Sequence, residues 1–258
     1  MDSLPVHPSC FYFAVKEGSV NQVVEILKTN PAVDVNWVNT SDEGRTVLHW
    51  ACQRDDTFLT ALLLAHPRIE VNPKHANGGT PLSFACGRGK TSFVRLLLKD
   101  LRVNINDIVD GSVALEFAAY HEHLDILKWF IASGRALDLG ESVVSAERSG
   151  LTDTLHLLRK FETNPDQVRE EIRLELDYFE EVAAEVFALV VFVSDGLLEV
   201  RQADEANPAL GFFLLALRLP LELQMLLCRR VVGLSEENIL TQEREAAFKS
   251  LAIKYWFG

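Results

Sequence analysis

At 258 residues, 48% of them apolar, the chain is long enough to bury a core without disulfide or metal staples. A formal net charge of −12 argues against a nucleic-acid binder, because phosphate contacts need clustered Lys and Arg. From Glu162 to Glu205 there are 13 acidic against 3 basic residues, so the two halves of the chain differ in kind. Met1 to Ser9 carries prolines and no basic-then-apolar leader pattern. The most apolar run, Pro208 to Cys228, is interrupted by Arg218, Pro220 and Glu222, which argues against a membrane span. Cys10, Cys52, Cys86 and Cys228 show no C-x-x-C spacing. Cys52 and Cys86, 34 residues apart, are expected to be reduced core residues of a cytoplasmic or nuclear protein.

Taken in order, the chain first offers Phe11, Ala14 and Val15 on one helix, stopped by Gly18. Val20, Val23, Val24, Ile26 and Leu27 then line a second helix, and Val35-Asn36 leaves it. A glycine turn at Gly44 leads into Thr46-Val47-Leu48-His49-Trp50-Ala51-Cys52, and Leu62, Leu63 and Leu64 form the stripe of the helix that follows. The same signature returns as Gly78-Gly79-Thr80-Pro81-Leu82-Ser83-Phe84-Ala85-Cys86. There Thr80 can cap the first orphan amides, and Pro81 sits where a missing N–H costs nothing. Val94, Leu96, Leu97 and Leu98 follow. A degraded copy, Gly111 to Ala119, precedes Leu124, Ile126, Leu127, Phe130 and Ile131. Thr46, Thr80 and Val113 are spaced 34 and 33 apart, and the exits at Asn36, Asn72, Asn106 and Asp138 by 36, 34 and 32. Ser142 to Glu147 and Leu151 to Phe161 read as a trimmed pair that closes the series, with a boundary at Asn164-Pro165.

A period near 33 headed by Thr-Pro-Leu-x-x-Ala resembles the ankyrin repeat, over residues about 9–163. The resemblance implies an all-α solenoid of four to five repeats, the first and last as caps, joined to a helical domain over 164–258. It also implies a non-catalytic module that binds another protein or peptide through a concave face, without cofactor, nucleic acid or membrane. The repeats span about Asp42 to Asn72, Ala76 to Asn106 and Val109 to Asp138, and the first lacks its glycine turn. Asp55-Asp56 stands where the family usually has Gly-His, Ser83 replaces the usual His, and the fourth repeat has lost Thr-Pro.

By that resemblance the partner faces the turn tips and the exposed ends of the inner helices. These positions are Asp42, Glu43, Arg45, Gln53 and Arg54, then Ala76, Asn77, Gly79, Gly87 and Arg88, then Val109, Asp110, Ser112, Tyr120 and His121. Tyr120, Arg54 and Arg88 are of the types that anchor interfaces. Trp50, Phe84 and Phe117 recur at one helix position and are expected to form a buried column. On that expectation Phe84→Ala costs about 3–5 kcal/mol.

Beyond the boundary, Val168, Ile172, Leu176, Phe179, Ala183, Val186, Val190 and Val193 make a helical stripe across nearly thirty residues. Phe187 to Val193 is apolar all round, as a core segment would be, and Ser194-Asp195-Gly196 ends it. Asn207-Pro208 and Leu219-Pro220 start further helices, Gly233 stops one, Ser235 and Thr241 offer caps, and Ala246 to Trp256 is amphipathic. The simplest role for these helices is an extended cap on the last repeat.

Other chemistry fails on spacing. Gly87-Arg88-Gly89-Lys90-Thr91 ends like a phosphate loop, but Phe84 stands where that motif needs its first glycine. His121, Glu122 and His123 have no fourth-ligand cluster, and an i, i+2 spacing suits a strand more than a helix face. His49 reads as a structural hydrogen-bonding residue. Leu219 to Leu223 resembles the start of an F-box, and Leu223 to Arg229 resembles the SOCS box, which recruits a ubiquitin ligase. Cys228-Arg229-Arg230 departs from the first pattern, and Gln224 stands where the second needs leucine. A ligase-adaptor function is the alternative that those segments imply.

Overall fold

Thr46, Thr80 and Val113 stand at matching helix openings, one residue before each of three inner helices. The structure, a computed structural model, describes residues 7–194 and Cys228. The chain divides into two compact units, Met1–Ile172 and Arg173–Gly258. In the first, five helix pairs follow one another. They are α1 (Pro8–Glu17) with α2 (Val20–Thr29), α3 (Val47–Arg54) with α4 (Thr57–Ala65), and α5 (Pro81–Gly87) with α6 (Thr91–Lys99). α7 (Ala114–Tyr120) with α8 (Leu124–Ala132), and α9 (Ser142–Ser149) with α10 (Thr152–Thr163), complete the series. The inner helices α1, α3, α5, α7 and α9 pack in chain order, and α4, α6, α8 and α10 do the same behind them. This is the all-helical array that the spacing predicts.

Short fingers project where one pair hands over to the next. β1 (Ile108–Val109) and β2 (Ser112–Val113) pair antiparallel, with Ile108 opposite Val113. A single bridge between Asn39 and Arg45 makes an earlier finger. The tips Glu43-Gly44 and Asp110-Gly111 have φ of 54°, 71°, 51° and 86°, the paired positive values of a tight hairpin turn. Ala76 N–H donates to the Glu43 carbonyl at 2.7 Å, which ties two neighbouring fingers together.

Three different side chains satisfy the same backbone amide at the inner-helix openings. The Thr80 N–H donates to Ser83 Oγ at 2.9 Å, and Ser83 N–H returns a bond to Thr80 Oγ1 at 3.2 Å. The Val113 N–H donates to Glu116 Oε1 at 3.2 Å. The Thr46 N–H donates to His49 Nδ1 at 3.2 Å, so that nitrogen must be unprotonated. Its Nε2–H then donates to the Gly79 carbonyl at 3.2 Å, which joins the second pair to the third finger. His49 is 2% exposed, and burial pushes its pKa down to about 4.

A second set of bonds crosses from pair to pair at the exits of the outer helices. Asn36 Nδ2 donates to the Arg68 carbonyl at 2.7 Å, and Asn36 Oδ1 accepts from Glu70 N–H at 2.8 Å. Asn72 repeats this with the Arg102 carbonyl and Asn104 N–H, both at 2.8 Å. Asn106 does so with the Ala136 carbonyl at 2.9 Å and Asp138 N–H at 3.0 Å. Asp138 has no amide to donate onward, and its carboxylate accepts from its own loop at Gly140 N–H.

Arginines reach the other way. Arg68 donates to the Pro31 and Val33 carbonyls, Arg102 to Leu64, and Arg135 to Asp100 and Val103. Arg169 of α11 (Pro165–Glu175) donates to the Ile131 carbonyl at 3.3 Å, keeping spacings of 34, 33 and 34 along the series. The residue two before each of the first three, His66, Asp100 or Ser133, accepts its backbone N–H.

The expected single helix across 168–193 is instead two helices. α11 stops at Glu175 and α12 (Tyr178–Ser194) begins after Asp177, whose φ is +50°. Asp177 is a good helix starter: its carbonyl accepts from Glu180 and Glu181 N–H, and those two carboxylates complement the new N-terminus. α12 buries Ala183, Ala184, Phe187, Ala188 and Val190, and the expected stop at Ser194-Asp195-Gly196 lies at the edge of the described residues. The helix signals at Asn207-Pro208, Leu219-Pro220, Gly233, Ser235, Thr241 and Ala246 to Trp256 lie outside the described residues. So do the F-box-like and SOCS-box-like segments, Cys228 apart. Among the described residues no helix is long and apolar enough to cross a membrane.

Asn72→Ala removes two inter-pair bonds at a partly exposed site, with an expected cost of about 1–2 kcal/mol. Asn72→Asp keeps the acceptor and should fall between the two in a urea titration. His49 gives a pH dependence. The unfolded chain takes the imidazole proton first as pH falls, so this contribution to stability is complete above the ordinary histidine pKa of 6.5. It is lost as pH falls from there to about 4, at about 1.4 kcal/mol per pH unit and roughly 3 kcal/mol in all. Urea midpoints at pH 7 and pH 5 should diverge in the wild type and diverge less in His49→Gln, where His66 and His75, also held low by burial, still contribute.

Candidate protein-binding face

Leu48, Ala51 and Cys52 point α3 into the core, and all three are buried. Trp50 lies two residues from Leu48 and from Cys52, about 200° round the helix, and so faces away from that core. The same arithmetic turns Phe13, Phe84 and Phe117 away from the core. Trp50, Phe84 and Phe117 are half-buried and Phe13 is 46% exposed. The buried column expected of Trp50, Phe84 and Phe117 is therefore corrected: it is a surface row running from pair to pair.

Cations lie over two of the rings, Trp50 and Phe84. Lys16 Nζ lies 4.2 Å from the Trp50 centroid, and the Arg45 guanidinium lies 5.6 Å from Trp50 and 6.0 Å from Phe84. Arg88 lies 4.5 Å from Phe84. Each such contact contributes about 0.5–1 kcal/mol at an exposed site. His49, His75 and Phe84 also meet edge to face, with His75 4.6 Å from the Phe84 ring.

The N-terminal end of the row is tied down by polar bonds. Trp50 Nε1–H donates to Tyr12 Oη at 2.6 Å, and the Tyr12 hydroxyl donates to Asp42 Oδ2 at 2.8 Å. Lys16 reaches the same oxygen at 2.9 Å. Burial raises the Asp42 pKa, but the bonds from Lys16 and Tyr12 and the charge of Arg45 outweigh it and hold the carboxyl below its usual value. Burial is also the main cause that pushes the Tyr12 pKa up to about 12.

The residues expected to meet a partner fall into three groups. Gln53, Arg54, Ala76, Asn77, Arg88, Asp110, Tyr120 and His121 are exposed, with Tyr120 at 62%. Asp42, Glu43 and Arg45 form one ion-paired set, with Glu43 2.7 Å from Arg45. Gly79 and Val109 are buried, and Gly87 and Ser112 are half-buried. A side chain at Gly79 would collide with His75 and Phe84, so this glycine admits their packing instead of touching a partner. Arg54 lies against Gly18 and donates to the Lys16 carbonyl at 3.3 Å, closing the end of α1. Phe13, Lys16 and the aromatic row belong to the face and were not among the expected positions. Their signal was the recurrence of one aromatic opposite the Leu-x-x-Ala core edge.

The remaining motifs resolve into structure. Gly87 to Thr91 is the end of α5 and the turn into α6, with Gly89 at φ +68°. His121 and His123 stack at 6.0 Å, and among the described residues no group of His, Cys, Asp or Glu could hold a metal ion. Cys52 and Cys86 are buried free thiols, and burial pushes the Cys52 pKa up to about 12.

Comparison with known proteins agrees with the geometry. The family described as ankyrin repeats (3 copies) matches residues 11–107 and 57–140. The chain is 45% identical over 51 residues to the acyl-CoA-binding domain-containing protein 6 of Xenopus tropicalis. That stretch is 20% of this chain and spans 17% of the relative's length. Ankyrin repeats are in general protein-interaction modules and typically non-catalytic. With its family match extending over half of its length, the chain belongs to the ankyrin-repeat family.

Proposed function

We propose that this protein is a non-catalytic interaction module whose concave face binds another protein or peptide. The observation that supports this most directly is the row of Phe13, Trp50, Phe84 and Phe117, held on the open side of the inner helices and interleaved with Lys16, Arg45 and Arg88. Half-buried aromatic rings beside guanidinium groups are the residue types that carry binding energy at interfaces. They are also not needed to fill the core between the helices, which Leu48, Leu82 and Leu115 occupy. The exposed Gln53, Arg54, Asn77, Asp110, Tyr120 and His121 form the rim of the same face. The domain division proposed with this reading is an array over 1–163 followed by a separate helical domain over 164–258.

An affinity pull-down with mass spectrometry on the intact chain tests the proposal against two variants. Phe84→Ala should cost only about 1–2 kcal/mol of stability, because the ring is half-buried, yet it should remove most of the captured partner. The Arg54/Arg88/Tyr120 triple alanine variant should do the same. Unchanged capture by both variants, with melting close to wild type, rejects the concave face as the binding surface.

A further inference from the structure

We propose that His75 is an acid-sensitive latch: its neutral ring holds the finger over residues 75–79 closed beside Phe84, and a proton on that ring releases the finger. This goes beyond the binding role proposed above and gives one part of that surface a response to pH.

The fingers are closed in different ways. The last is a two-stranded hairpin, with Ile108 opposite Val113 and Val109 opposite Ser112. The first has a single bridge, Asn39 to Arg45, and Asn39 Oδ1 accepts from Ser41 N–H at 3.1 Å. His75 stands 36 residues after Asn39, the same spacing as the exits Asn36 and Asn72. Its Nδ1 makes the equivalent bond, accepting from Asn77 N–H at 3.0 Å. Among the described residues this middle finger pairs no strand. Its backbone closure is His75 N–H to the Gly79 carbonyl at 3.1 Å and Gly78 N–H to the His75 carbonyl at 2.8 Å. Of the two side chains that accept at this position, the amide of Asn39 does not titrate and the imidazole of His75 does.

The ring is enclosed. His75 is 7% exposed, and its Nε2 lies 2.5 Å from where a Cβ on Gly79 would stand. It meets Phe84 at 4.6 Å and His49 at 5.7 Å. A nitrogen that accepts from a backbone N–H is unprotonated, so a proton on Nδ1 sets two donors 3.0 Å apart. The charged and titratable groups around the ring are Arg45 and Glu43 of the first finger, Asp110 of the last, Arg88 after α5 and His49 of α3. Burial first, then Arg45 and Arg88, push the His75 pKa down, and Glu43 and Asp110 only partly offset them. In the released finger the ring is an ordinary histidine with a pKa of 6.5. The closed finger is therefore fully favoured above that pH and loses ground as pH falls below it. Release also gives up the Ala76 N–H bond to the Glu43 carbonyl at 2.7 Å and the edge contact with Phe84, in the middle of the aromatic row.

Amide exchange in the intact chain, followed by NMR at pH 7 and pH 5 and corrected for the intrinsic rates, tests the latch. Asn77 and Ala76 should lose protection in acid, by about tenfold for each pH unit by which His75 titrates below 6.5. Ser41, held by Asn39, is the internal reference and should not change. His75→Asn supplies the acceptor that Asn39 already provides and should keep Asn77 and Ala76 protected at pH 5. Parallel loss at Asn77 and Ser41, a His75 midpoint at or above 6.5, or the same acid loosening in His75→Asn overturns the inference. If His75→Asn does not fold, the wild-type comparison of Asn77 with Ser41 decides alone. Exchange needs no partner, so a negative result leaves the concave-face reading standing.

Discussion

Each helix pair depends on hydrogen bonds that it cannot make within itself. Asn36, Asn72 and Asn106 each bond forward to two backbone groups of the next pair, while Arg68, Arg102 and Arg135 each bond back to carbonyls of the previous one. The inner and outer helices of the array run from 7 to 12 residues, too short to be stable alone in water. Stacking buries their apolar edges, and the crossing bonds set the register in which they stack. Helix openings therefore recur at spacings of 34 and 33, and the aromatic side chains of successive pairs fall in line.

That alignment turns a local choice into an extended surface. One aromatic per inner helix, set about 200° from the core edge, has little consequence in a single pair. Repeated from Phe13 to Phe117, it gives a continuous strip whose rings are large enough to hold cations over them. The polar relay from Trp50 through Tyr12 to Asp42 fixes one end of the strip, so the rotamers at that end are set before any ligand arrives. Pre-ordered side chains lose less entropy on binding, and this favours affinity at an interface of modest size.

Much of the array was legible in the sequence because its signals are local. Thr80 and Pro81 are helix-start chemistry, Gly18 and Gly89 take left-handed turns, and the asparagine exits mark the period. The aromatic row was misread because recurrence of an apolar residue was taken as burial. In a helix with a core on one side only, angular position decides that question, and Trp50 stands opposite Leu48. The break at Asp177 was missed for a related reason: a run of apolar residues at helical spacing continues across a residue that starts a new helix. Arg68, Arg102 and Arg135 were legible as a period, but their backward reach depends on carbonyls that only the fold brings near.

Arg169 carries this last pattern past the stretch that matches the family, which stops at residue 140. Its guanidinium clamps the Ile131 carbonyl much as Arg102 clamps that of Leu64. A fragment trimmed at the Asn164-Pro165 boundary keeps every recognisable motif and loses that clamp, with the Gly134 N–H left on the Ile131 carbonyl. The mechanical extent of the stack is thus set by how far a side chain can reach back, and it continues past the stretch that matches the family.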